Sequence, residues 1–155
     1  MLKSIEGNFD HPEVNSLLVK HFIELRSVSP EGSAHVLDIA GLKNPTIKFW
    51  SLWEDEELMG CGALKFLDKE HGEFKSIRVN DKFRGKGNGS KVINHLINEA
   101  KKLNIKRLSL ETGAGDFFLT ARKLFNKCGF EPCEPFSHYK KDINSIYMTM
   151  LISNK

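Results

Sequence analysis

Apolar positions along the chain recur with two periods. Val14, Leu17, Leu18, Phe22 and Leu25 fall three and four residues apart, behind a proline suited to a first helical position, Pro12, and ahead of Ser29-Pro30, which stops the run. They predict an amphipathic opening helix. The stretch from Glu31 to Pro45 is mixed, with room for a short helix. Thr46 to Trp53 is aromatic and β-branched, and Leu58 to Leu67 and Glu73 to Val79 follow across polar turns at 54–57 and 69–72, so three strands in antiparallel succession are expected. Val92, Ile93, Leu96, Ile97, Ala100 and Leu103 form one helical stripe, with Asn104 as a left-handed cap. Arg107 to Glu111 reads as a short strand, Phe117 to Lys127 as a helix ending at Gly129, and Phe130 and Ile146 to Ile152 as closing strands. No repeat, low-complexity segment or linker breaks this order. The expected layout is an α+β sandwich in a single domain over residues 1–155.

Composition removes several classes. The chain is 40% hydrophobic and 28% charged, as a globular protein is, and no apolar run approaches the ~18 residues of a membrane span. With no signal-peptide pattern at the start, a cytoplasmic location without a membrane partner is expected. Cys61, Cys128 and Cys133 are odd in number and lack C-x-x-C spacing, which suits reduced, packed thiols rather than nucleophiles. The six histidines are scattered, so no metal site is expected. A net charge of +3 is too small to imply nucleic acid.

Part of that charge is concentrated, in Lys82, Arg84, Lys86 and Lys91, around the run Arg84-Gly85-Lys86-Gly87-Asn88-Gly89-Ser90. Three glycines in five positions between a strand and a helix let the backbone approach a ligand closely. The helix that follows presents unpaired amides and its positive dipole end, which favour a pyrophosphate. A dinucleotide-binding fold fits less well, because Gly85-x-Gly87-x-x-Ser90 lacks the third glycine and the chain is short for a doubly wound sheet. The chain also lacks G-x-x-x-x-G-K-[ST].

From Ile77 to Phe130 the pattern resembles the GCN5-related N-acetyltransferases (GNAT), whose signature R/Q-x-x-G-x-G/A is matched by Arg84, Gly87 and Gly89. Downstream, 121–130 (ARKLFNKCGF) resembles that family's A-x-x-L-Y-x-x-x-G-F helix and strand. Asp10-His11-Pro12, Glu111-Thr112-Gly113, Pro135-Phe136, Tyr139, Asn144-Ser145 and Met148 extend the resemblance, over nearly the whole chain, to a bacterial branch of acetyltransferases. The resemblance implies a twisted, mostly antiparallel sheet flanked by helices and splayed at its centre near Val79, with acetyl-CoA lying in the gap as co-substrate. It assigns the backbone of Ile77, Arg78 and Val79 to the pantetheine arm. Arg84, Gly85, Lys86, Gly87, Asn88, Gly89 and Ser90 would wrap the pyrophosphate. Phe118 stands where the family often has an asparagine and Phe125 where it often has an acidic tyrosine, so both either pack against the pantetheine or fill the core. Arg122 either meets a cofactor phosphate or a substrate carboxylate, or is a solvated helical arginine.

Acetyl transfer to an amine of pKa about 10 requires a base at neutral pH. Glu73 is the candidate: strand alternation puts it on a face with Ile77 and Val79, and several family members carry a basic carboxylate there. Glu111 and Asp10 compete for the role. Tyr139 either protonates the leaving thiolate or walls the substrate pocket. Asp10 and His11 adjoin the first helix, which often borders the acceptor pocket in this fold, although Asp10 also suits the helix dipole. The expected function is acetyl transfer from acetyl-CoA to a primary amine of a small molecule by direct attack in a ternary complex. The alternative is an acyl-CoA-binding domain with little turnover, which Phe118 and Phe125 would explain. Fold-level analogy adds a homodimer paired through the strand 146–152.

Overall fold

The structure, a computed structural model, describes residues 1–29 and 35–152. Pro12 opens helix α1 (Pro12–Val28), and the ring of His11 caps it by accepting the Glu13 amide at 3.1 Å. The helix ends at Ser29, as expected; Pro30 lies outside the described residues. The mixed stretch that follows contains one turn of helix, α2 (Ile39–Leu42), capped by Asp38.

Strands β2 (Ile47–Glu54), β3 (Glu57–Phe66) and β4 (His71–Val79) form the antiparallel succession read from the sequence. Helix α3 (Asn88–Lys102) then crosses over to β5 (Arg107–Gly113), with Asn104 in the left-handed conformation at its end. A 3-10 turn at Asp116–Phe118 leads into α4 (Leu119–Lys127), and β6 (Glu131–Cys133) and β7 (Ser145–Leu151) close the chain. A first strand, β1 (Leu2–Glu6), was not expected. It pairs with β2 at the sheet edge and leaves Ile5 facing solvent, so its few side chains carry no apolar alternation.

All the described strands form one sheet in the order β1-β2-β3-β4-β5-β7-β6, with only β4 and β5 parallel. That pair requires a helical crossover, which α3 supplies. Helices α3 and α4 cover one face through Leu52, Met59, Leu64, Phe74, Val92 and Leu96, and α1 and α2 cover the other through Val14, Leu18, Phe49, Trp53 and Leu58. Strands β2 and β3 are therefore buried on both sides and read as continuous apolar runs. The closing strand β7 lies between β5 and β6, which occupies both of its edges over Tyr147–Thr149. The homodimer pairing expected through this strand is thus blocked along its middle.

The β4–β5 ladder runs only from His71–Arg107 to Phe74–Leu110. Beyond it, Lys75 to Val79 and Glu111 to Gly113 diverge, and a cavity of about 870 Å³ opens between them. The splay near Val79 is thus present.

A bulge shapes the β4 wall. Cys61 pairs with Arg78 and Ala63 with Lys75, so one residue of β3 faces two of β4, and Ser76 takes a φ of 54°. The buried Cys61 thiol, its pKa pushed up to about 12 by desolvation, donates to the Ser76 carbonyl. Among the described residues all cysteines are unpaired.

Candidate active site

The bulge corrects one expectation. Ile77 and Val79 pack with the α3 side of the sheet, whereas Glu73, Lys75 and Arg78 share the α1 side with their β3 partners Lys65, Ala63 and Cys61. Simple alternation had put Glu73 on the face of Ile77 and Val79, but the extra residue at Ser76 reverses the parity. Between the two faces, the β4 edge that Phe74 leaves behind has no strand partner on the cavity side. Unpaired edge groups of this kind accept an extended ligand as an added strand.

At the far end of β4 the chain makes a 3-10 turn at Asp81–Phe83, then three successive left-handed residues, Gly85, Lys86 and Gly87, with φ of 82°, 54° and 80°. Gly87 is the N-cap of α3, and no side chain caps that helix. A Cβ on Gly85 or Gly87 would meet nothing within 4 Å, so this backbone fronts open space. At Gly89 the reason for glycine is different: a Cβ there would lie 2.5 Å from Leu124, where α3 and α4 approach closely. An open left-handed loop at an uncapped helix N-terminus fits a diphosphate.

Arg84, Gly85, Gly87, Gly89 and Ser90 line the cavity. Lys86 is exposed and outside its wall, and Asn88 instead braces the loop by donating to the Phe83 carbonyl at 2.7 Å. Arg84 pairs with Asp81 at 3.2 Å, and Lys20 of α1 bonds the same carboxylate. That contact with Lys20 contributes most to holding the Asp81 carboxyl below the usual range.

Phe118 and Phe125 both line the cavity. Phe118 covers Gly113, and Phe125 stacks edge-on against Phe130 with centroids 5.8 Å apart. Arg122 does not line it. Its guanidinium donates to the carbonyls of Gly113 and Gly115 at 2.7 and 2.9 Å, fastening the turn after β5, so the expected ligand contact is replaced by a structural one.

On the α1 side, Glu73 is 1% exposed. Its Oε2 accepts from the Tyr139 hydroxyl at 2.7 Å and from Lys75 Nζ at 3.3 Å, while its Oε1 has no partner. Lys75 also donates to the Tyr139 oxygen at 3.0 Å. Tyr139 stands behind this pair, outside the cavity wall, and burial together with the Glu73 carboxylate raises its pKa. Its hydroxyl is committed to the Glu73 carboxylate, so the geometry shows it neither at a leaving group nor in the wall of the cavity. Glu111 lies two residues beyond Ser109, the β4–β5 register partner of Glu73. It is held by His35 Nδ1 at 2.7 Å and by the Ser145 hydroxyl at 2.9 Å. Lys75 and His35 were missed in the sequence, where neither belongs to a motif.

Asp10 and His11 are not at the site. They sit at the opposite end of α1 from Glu24, Leu25 and Val28, which line the cavity, and His11 packs edge-on against Trp53 at 4.9 Å. The 17 residues of α1 put about 20 Å or more between its ends.

Arg78, whose backbone was expected to serve the cofactor, lines the cavity and has its side chain tied to α1. Its buried guanidinium makes a bidentate pair with Glu24 of α1, at 3.0 and 3.2 Å, and holds that carboxyl below its ordinary range. Beside it, His21 is buried with an unpartnered Nδ1, and burial and then Arg78 lower its pKa to about 4. The unfolded chain takes up this proton from pH 6.5 downward while the folded chain resists until about 4, so stability is full above 6.5 and falls between these limits. The loss amounts to roughly 3 kcal/mol. Urea unfolding at pH 7 and pH 4.5 should show it, and His21→Phe should flatten the slope; an unchanged slope in the variant would assign the proton to another group.

Among the described residues, no three His, Cys, Asp or Glu side chains converge to hold a metal, and no helix is long and apolar enough to cross a membrane. The sequence pattern of the acetyltransferase (GNAT) family matches residues 12–130. An uncharacterised N-acetyltransferase of Bacillus subtilis, YsnE, is 47% identical over 137 residues, covering 88% of this chain and 91% of the relative. A second, YedL of Escherichia coli, is 41% identical over 142 residues, covering 92% and 89%. Among solved structures, a Bacillus subtilis acetyltransferase in complex with CoA superposes with a TM-score of 0.72 at 19% identity, over 99% of this chain and 100% of that one. With a glycine loop at the head of α3, a parted β4–β5 pair and this match over three-quarters of its length, the chain belongs to the acetyltransferase (GNAT) family.

Proposed function

We propose that the chain transfers the acetyl group of acetyl-CoA to a primary amine of a small molecule, by direct attack within a ternary complex. The observation that carries the chemistry is Glu73: one carboxylate oxygen is locked by Tyr139 and Lys75, and the other is unpartnered on a residue lining the gap. Acetyl-CoA supplies an activated acyl thioester. The left-handed loop and the head of α3 hold its diphosphate, with Arg84 adding charge. The unpaired edge of Lys75–Val79 aligns the pantetheine arm along β4. Glu73 Oε1 takes the proton that an alkylammonium must lose before its nitrogen can attack. Tyr139 and Lys75 keep the carboxylate in one rotamer and leave a single oxygen for that proton. Where the family often has a tyrosine acid, Phe125 packs on Phe130, and a thiol of pKa about 8.5 can depart without one.

The test is thiol release from acetyl-CoA across a panel of primary amines, with the products weighed by mass spectrometry. Release that depends on the amine and yields an N-acetylated product is expected. Release that ignores the amine would make the chain a thioester hydrolase, and none with bound coenzyme would reduce it to an acyl-CoA-binding domain.

A further inference from the structure

The α1 side of β4 bears two buried groups with one polar atom each left without a partner, and their chemistry is opposite. Glu73 Oε1 can only accept from a cationic or neutral amine, and Arg78 Nε can only donate. Both residues line the cavity, and Arg78 has only 4% of its side chain exposed. Their β3 partners, Lys65 and Cys61, are four residues apart, so the two stations lie about 13 Å apart at the backbone.

Arginine presents two planar forks, and here Glu24 fills the one made by Nη1 and Nη2. On the other edge, Nη2 has Asp81 Oδ1 at 3.6 Å, beyond hydrogen-bond distance, while Nε has no partner, so that edge can still take a carboxylate. His21, whose Nδ1 also lacks a partner, stands next to it and is neutral at pH 7 because of burial and the Arg78 charge. Lys75 faces Glu73, and Glu24 and Asp81 face Arg78. The one acceptor and the one donor left without partners together suit a ligand that carries one charge of each sign.

We infer that the acceptor is an amine that also carries a carboxylate, of the amino-acid class, with its nitrogen presented to Glu73 and its carboxylate received by the Nε edge of Arg78. This rests on the acetyl-transfer reading above. It makes the side chain of Arg78 a specificity determinant for the acceptor, while its backbone stays part of the β4 edge along which the pantetheine arm is aligned.

Matched pairs decide it: histidine and histamine, tyrosine and tyramine, tryptophan and tryptamine, lysine and cadaverine, arginine and agmatine. Turnover with acetyl-CoA, and the rise in melting temperature with CoA present, are read for each member. At least one amino acid should exceed its decarboxylated partner by 100-fold or more in kcat/KM and should alone raise the melting temperature. Arg78→Gln should erase that preference, lowering the amino acid's kcat/KM about 100-fold while leaving the partner amine and the Kd for CoA within a few-fold. Because Arg78 is buried, Arg78→Lys serves as a second variant, keeping the charge but losing the fork, and should lower the preference by at least tenfold.

Equal or better use of the decarboxylated amines would overturn the inference alone, as would an Arg78→Gln effect confined to CoA binding. Amino-acid binding without any turnover would overturn the transfer reading alone. Neither binding nor turnover by any member would overturn both.

Discussion

Gly87→Asp is expected to abolish CoA binding while the chain still folds. Gly87 has a φ of 80°, and a Cβ added there points into open space in front of the α3 amides. A carboxylate at that point stands where a diphosphate must sit. Two like charges about 4 Å apart cost roughly 4 kcal/mol at an effective dielectric constant of 20, about a thousandfold in affinity. A non-glycine residue in the left-handed region costs about 1–2 kcal/mol, small beside the usual stability of a domain. Gly87→Ala carries that backbone cost without the charge, so it separates the two effects. Titration calorimetry with CoA, beside circular dichroism of each variant, is the measurement. A Gly87→Asp protein that binds CoA as tightly as the parent would remove this loop from the site.

The second large effect is chemical. Glu73→Gln keeps the size of the side chain but removes its capacity to accept a proton, and should lower kcat by about 10² to 10⁴ with the Kd for CoA unchanged. Lys75 is 10% exposed and would lose its buried counter-ion, so the single variant also risks a stability loss of about 3–5 kcal/mol. The double variant Glu73→Gln with Lys75→Met removes both charges and should recover much of that stability without recovering rate. A double variant as active as the parent would move the base elsewhere, with Glu111 a second cavity-lining carboxylate on the same face.

What the chain disclosed in advance, and what it withheld, follows from the kind of signal each feature leaves. Helices α1, α3 and α4 were legible because each buries a stripe against the sheet, which fixes a period in the sequence. The loop before α3 was legible because left-handed backbone draws glycine. Strand β1 left little trace, since an edge strand with half its side chains in solvent has no alternation to read. The side on which Glu73 faces was misread because a bulge at Ser76 adds a residue without changing composition, and serine with a positive φ has no signature of its own. Asp10, His11 and Arg122 are chemically apt residues, but helix length, a cap and two carbonyls place them elsewhere. His35 and Lys75 were passed over because Glu111, the partner of His35, and Tyr139, which joins Lys75 to Glu73, are distant in the chain.

The parting of β4 from β5 leaves one cavity whose walls come from both layers of the molecule. The α3 loop and α4 line part of it, and the end of α1, His35 and Ser145 line another part. Because these groups belong to different elements, substitutions in α1 or around 35 and 145 can reshape one part of the wall and leave the glycine loop as it was.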